Sequence, residues 1–249
     1  MTEKIYYQHA ESESIGISEN RAVLEGPDQL DEISEDWYYA LKACGWSDGS
    51  DPVAVDPGPG WSDTYLMVDL ETLDQTASAQ ILAAAMVNWH PYTDSIANVH
   101  ISFPNLQEQE AVGQTVGQDT LNWWKMRSQE LRQFCFDLPM WKRTPLLRGT
   151  LIPVMNAFND AEEIWCQGKD FDARILQDLI RKVVPGYKFP YWKVRDSRDF
   201  EKKFGHLVDL YRLNQDKKEF GHNPVMDCKI QIAKMRLIHR ELRELGALK

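Results

Sequence analysis

Residues 65–80 read YLMVDLETLDQTASAQ, and this stretch constrains the chain more than any other. Tyr65 to Val68 is a short apolar, partly β-branched run, which predicts a buried strand. The strand runs directly into Asp69-Leu70-Glu71. Side chains alternate faces along a strand, so Asp69 and Glu71 point the same way at its C-terminal edge. Two adjacent carboxylates repel, and at least one pKa rises unless something positive sits between them. A divalent cation removes that conflict, and hard oxygen ligands suit magnesium or manganese. Taken alone, Asp-x-Glu after a strand is also what a solvated turn looks like.

The rest of the chain supplies partners for these acids. An apolar run from Ala79 and a weakly alternating one around residues 95–103 predict strands over 79–88 and 95–103. With the first strand, 64–69, they form an antiparallel meander, since no segment between them is long enough to force a parallel crossover. Gln118 to Phe134 is predicted as a helix carrying Trp123 and Trp124. Neighbours on a helix lie about 100° apart, so one tryptophan is core and the other either lines a groove where bases can stack or buries against another element. A further helix is predicted from Leu147 to Asp160. Glu163 to Gln167 reads as a strand handing over, through Gly168-Lys169-Asp170-Phe171-Asp172, to a helix over 173–184, with Asp172 at its N-terminal edge. Such an acid can simply cap the helix, but a strand-to-helix edge is also where α/β folds bind ligands. A fifth strand around 189–194 and a helix over 197–213 follow. Asn223 and Pro224 are a strong cap and first residue for a last helix over 224–246. That places Asp227 in its opening turns and His222 just before it.

The net charge of −10 sits entirely in residues 1–62, which hold 13 acids against 3 bases. The remainder is neutral, so overall acidity does not exclude a nucleic-acid ligand. Residues 1–62 read as an appended extension, with one amphipathic helix over 30–44 and a Pro/Gly/Asp-rich linker behind it. A solubilising tail, a docking arm for a protein partner and a mimic of nucleic-acid charge all fit this composition. Bases gather between Arg181 and Lys203, as a phosphate-tracking surface or as the solvated side of helices. No apolar run is long enough to span a membrane, and the first residues lack the apolar core of a signal peptide. Four scattered cysteines without a Cys-x-x-Cys pair argue against a zinc site or a disulfide framework, and for a reducing cytoplasm.

Four acids and a histidine thus stand in order at element ends. The stretches VDLETL (68–73), TLNWWKMRSQELR (120–132), WCQGKDFDARILQDLIRK (165–182), WKVRDSRDF (192–200) and HNPVMDCKIQIAKM (222–235) resemble the DEDDh 3′–5′ exonucleases of the ribonuclease H-like superfamily. Within that group the chain resembles the phage exonuclease A family and related bacterial exoribonucleases. It departs at the acidic extension and at Arg127, where relatives tend to carry Gln.

The resemblance implies a five-stranded mixed sheet, an antiparallel meander followed by parallel strands, flanked by helices and occupying residues 63–249. It implies that Asp69, Glu71, Asp172 and Asp227 hold two magnesium or manganese ions about 4 Å apart, with Asp69 bridging both. His222 would accept the proton of the attacking water. Leu70, Thr72 and Leu73 would wedge the terminal base, and Phe171, Trp123 or Trp124 would contact substrate. Lys169, Arg195 and Arg198 would contact phosphates. The implied activity is removal of nucleoside 5′-monophosphates from the 3′ end of single-stranded DNA. The same site acting on RNA, or a non-catalytic binding module, are the alternatives.

Overall fold

The computed structural model describes residues 5–9, 14–18, 30–33, 64–92, 96–211, 213–214 and 221–247. The chain divides into two compact units, Met1–Pro59 and Gly60–Lys249. In the first, β1 (Ile5–His9) pairs antiparallel with both β2 (Ser14–Ser18) and β3 (Leu30–Ile33). The start of the helix expected over 30–44 is therefore a strand, because Leu30 to Ile33 take up the ladder of β1 instead. The rest of that helix, and the linker behind it, lie outside the described residues.

The second unit carries a five-stranded sheet in the order β6-β5-β4-β7-β8. Here β4 is Tyr65–Thr72, β5 is Ile81–Trp89, β6 is Ile96–Ser102, β7 is Glu163–Cys166 and β8 is Val194–Asp196. The first three form the antiparallel meander; β7 and β8 add in parallel on the other side of β4. The mixed sheet that the resemblance implies is what forms.

Register explains where the acids end up. Pairing of β4 with β7 stops at Val68 opposite Cys166, while pairing with β5 continues to Thr72. Asp69 to Thr72 thus project beyond the end of β7, leaving one edge of β4 open. The β4–β5 register also slips between Glu71 and Thr72, a bulge of the kind that re-aims side chains at the end of a strand.

Both faces of the sheet are covered, as its apolar strands require. Leu66, Val68 and Leu70 pack with Val154 and Phe158 of α3 (Ile152–Asp160) and Ile175, Leu176 and Leu179 of α4 (Asp172–Val183). The opposite face of β4 and β5 meets α6 (Pro224–Glu244). That helix buries Val225, Cys228, Ile232, Met235, Ile238 and Leu242, the apolar stripe expected of a helix laid on a sheet. The cap works as its sequence implies: Asn223 Oδ1 accepts from the N–H groups of Val225 and Met226 at 3.2 Å. None of the helices among the described residues is long and apolar enough to cross a membrane.

Two smaller helices, α1 (Leu106–Ala111) and α2 (Gln118–Lys125), lie between β6 and α3. Four expected elements come out differently. The helix over 118–134 stops at Lys125 and restarts, because Ser128 takes the N–H of Leu131 at 3.3 Å and acts as a new cap. A short turn at Gln129–Leu131 then widens into a π-helical turn at Arg132–Phe136. The fifth strand begins at Val194 rather than near 189; Pro190 has no N–H for a ladder, and Tyr191–Lys193 form a 3₁₀ turn. Helix α5 (Ser197–Phe204) ends at Gly205 and passes into a 3₁₀ turn, well short of residue 213. The segment before α3 is a π-helical turn at Leu146–Leu151, so regular helix starts only at Ile152, next to Pro153.

Candidate active site

Four sequence-distant acids and the histidine line one pocket of about 520 Å³. Asp69 and Glu71 reach it from the overhanging end of β4, Asp172 from the start of α4, and Asp227 from the first turn of α6. Carboxylate oxygens of Asp69, Glu71 and Asp227 lie within 4.8 Å of one another, and Glu71 and Asp227 are buried. Carboxylates packed this closely in a low-dielectric site repel strongly unless a cation or a proton intervenes. A set of hard oxygen donors at this spacing fits a divalent cation of the magnesium or manganese kind.

Asp172 is almost fully buried, at 3% exposure. Burial pushes its carboxyl up to about 7, against the opposing pull of backbone N–H groups at Leu70 and Asp172 and of the Arg198 guanidinium. The turn that presents it depends on Gly168, whose φ of +111° is open only to glycine. A Cβ there would sit 3.7 Å from the Arg198 guanidinium, so that arginine lies directly against the turn.

His222 also has a left-handed backbone, with φ of +73°. A non-glycine residue in that region stores strain of order 1–3 kcal/mol, which the surroundings must offset. Its own N–H does part of this by donating to Asp227 Oδ2 at 2.8 Å. The imidazole Nδ1 then lies 3.7 Å from Glu71 Oε1 and remains half-exposed to the pocket. The Trp123 ring meets the imidazole edge-to-face at 4.7 Å, and the Arg127 guanidinium covers Trp123 at 4.3 Å.

The two tryptophans separate as helix geometry requires. Trp124 is buried, donates from Nε1 to the Thr72 carbonyl at 2.8 Å, and stacks on Phe136 at 5.8 Å. Trp123 is half-buried against His222 at the edge of the pocket.

Other expected contact residues divide similarly. Leu70, Thr72 and Phe171 line the pocket. Leu73 does not: it is buried, with its backbone tied to Gln80 and Gly117. Arg195 is also elsewhere, since its Nε pairs with Glu163 Oε1 at 2.9 Å beside the start of β4. Arg198 hydrogen-bonds the carbonyl of the pocket residue Gln167 at 3.2 Å. Lys169 is exposed, and its backbone N–H donates to Asp196. Much of the basic cluster has structural work: Lys193 donates to three carbonyls ending α3, and Lys182 pairs with Asp178.

Sequence reasoning missed Gln231, whose Nε2 donates to Asp69 Oδ1 at 3.1 Å. The available signal was its position one helical turn beyond Asp227, on the same face of α6.

The overhanging β4 and the mixed sheet, with four acids converging at its end, make the fold of a ribonuclease H-like domain of the DEDD type. The sequence profile of the 3′-5′ exoribonuclease Rv2179c-like domain matches residues 64–239, and the chain belongs to that family. No curated protein matches the sequence. Among solved structures the fold is similar to Escherichia coli exonuclease I in complex with a dT13 oligonucleotide, at 14% identity and a TM-score of 0.54 over 74% of this chain and 43% of that one. The complex with a dA16 oligonucleotide gives 14% and 0.55 over 74% and 42%, and the zinc-bound form with single-stranded DNA gives 13% and 0.53 over the same shares. The chain therefore spans less than half the length of exonuclease I, and at this identity the likeness is one of fold.

Proposed function

We propose that the protein is a divalent-metal-dependent 3′–5′ exonuclease that releases nucleoside 5′-monophosphates from single-stranded nucleic acid. The observation carrying this reading is the convergence of Asp69, Glu71 and Asp227 within 4.8 Å, in a pocket shared with Asp172 and His222. Two magnesium or manganese ions held by the four carboxylates would neutralise the scissile phosphate and stabilise the attacking and leaving oxygens. His222, half-exposed above Glu71, accepts the proton of the attacking water in this reading. Leu70, Thr72, Phe171 and Trp123 supply the apolar and aromatic walls against which a terminal nucleotide packs. Arg198, beside the Asp172 turn, is the cation best placed to meet a phosphate; Arg195, paired with Glu163, is withdrawn from that role.

For the substrate, the family name favours RNA, whereas the similar fold of exonuclease I was solved with DNA. RNA takes precedence here, because family membership covers most of the chain and the DNA-bound likeness is of fold alone. Matched 5′-labelled RNA and DNA oligonucleotides, incubated with magnesium or with chelator, test both statements. The expected result is stepwise 3′ shortening with metal, faster on RNA, and none with chelator. Cleavage that survives chelation, or that starts inside the strand, would rule out the reading.

A further inference from the structure

The segment Asp196-Ser197 lines no part of the pocket, yet it is tied to two of the acids. Asp196 caps α5 by accepting the N–H groups of Arg198 and Asp199 with one oxygen, at 2.9 and 3.2 Å. Its other oxygen accepts the N–H of Lys169 at 2.9 Å, which clamps the turn leading to Asp172. The next residue reaches in a different direction. The Ser197 hydroxyl donates to Gln231 Oε1 at 3.3 Å, and Gln231 Nε2 donates to Asp69 Oδ1 at 3.1 Å. Ser197 and Gln231 are 1% and 2% exposed, so the amide that links them to Asp69 is held away from solvent.

This buried chain has a preferred direction. A glutamine amide can present either its oxygen or its NH₂ to a neighbour. Facing a carboxylate, only the NH₂ side is favourable, and a hydroxyl donating to the far oxygen holds the amide that way round. Groups that orient a metal-ligating carboxylate from behind usually affect cation affinity, because they fix the ligand before the cation arrives.

We propose that Gln231, oriented by Ser197, is a positioning residue that holds the Asp69 carboxylate ready for a divalent cation. The proposal rests on the metal-dependent reading of the pocket and deepens it. Gln231 acts through Asp69 and does not touch substrate.

The test uses the full chain and measures Mn²⁺ binding by calorimetry, with circular dichroism in chelator to report folding. Gln231→Met keeps the volume and removes the donor; it is expected to weaken Mn²⁺ binding roughly 10- to 100-fold, the usual range for such a partner. Ser197→Ala, a milder change, is expected to weaken it less, in the same direction. Asp227→Asn serves as the control that removes a ligand's negative charge. Wild-type Mn²⁺ affinity in folded Gln231→Met overturns the proposal; should that variant not fold, wild-type affinity in Ser197→Ala overturns it instead. A wild-type protein that binds no Mn²⁺ defeats the metal-site reading itself, a separate outcome from an effect confined to the variants.

Discussion

The backbone N–H of His222 donates to the Asp227 side chain at 2.8 Å, so one proposed metal ligand also holds the proposed general base in its left-handed backbone. The coupling joins the main chain of His222, not its imidazole, to the carboxylate of Asp227. Asp227→Ala is therefore expected to remove a ligand and also to loosen His222. In a double-mutant cycle with His222→Ala, measured as single-turnover cleavage, the two losses should fall well short of adding. Additive losses would show that the hydrogen bond does not couple them.

His222→Ala alone should lower the cleavage rate by about 10²- to 10⁴-fold, the usual contribution of a general base, and leave Mn²⁺ binding near wild type. Glu71→Gln should reduce both. A His222→Ala protein that cleaves at the wild-type rate across the pH range would strip the residue of its role.

Trp123 and Trp124 are adjacent in sequence but should respond oppositely to truncation. Trp124→Ala empties a buried site and abandons the Thr72 carbonyl, at a cost of about 3–5 kcal/mol in chemical denaturation. Trp123→Ala should cost far less stability and appear mainly as a raised KM for oligonucleotides. Equal stability losses from the two would contradict the division of labour.

His239 offers a pH prediction away from the pocket. It is buried among Tyr65, Trp89, Tyr92, Trp165 and Phe200, and neither ring nitrogen has a hydrogen-bond partner among the described residues. Burial lowers its pKa to about 4 from the usual 6.5. The unfolded chain thus takes up this proton first, so the contribution of a neutral His239 is complete above about pH 6.5. It is lost as pH falls toward 4, by up to about 3 kcal/mol at 1.36 kcal/mol per pKa unit. Urea titrations at pH 7.5 and 4.5 should show a smaller stability loss for His239→Leu than for the wild type.

Arg143 is 6% exposed, and its guanidinium donates to the carbonyls of Leu82, Pro104 and Cys135. It ties the π-helical turn to the sheet with charge-assisted bonds. Arg143→Met should cost roughly 3 kcal/mol by leaving those carbonyls buried without the donor. A variant with the wild-type denaturation midpoint would refute this account.

How much of this was legible beforehand follows from what each feature depends on. The β4 acids, the Asp172 turn and the Asn223 cap are local signals: alternation, a strand-to-helix handover, a cap with proline behind it. Those elements formed where the sequence put them, and the antiparallel meander with parallel additions formed as well. The break after Lys125 turned on Ser128 capping a new turn, a competition that apolar periodicity does not register. Arg195 read as a phosphate contact because its partner Glu163 lies 32 residues away on a neighbouring strand, a pairing that only register reveals. Gln231 shows in the sequence only as a helical neighbour of Asp227; its importance is a contact with a residue 162 positions earlier.

Helix α6 delivers both Asp227 and Gln231, although the sheet that carries Asp69 is laid down by the early part of the domain. During synthesis the nascent chain would expose its first two acids long before their companions emerge from the ribosome. Under the proposed function, catalytic competence would therefore switch on only once the last long helix docks, and a truncated translation product lacking it would leave one face of β4 and β5 uncovered and be inert toward nucleic acid.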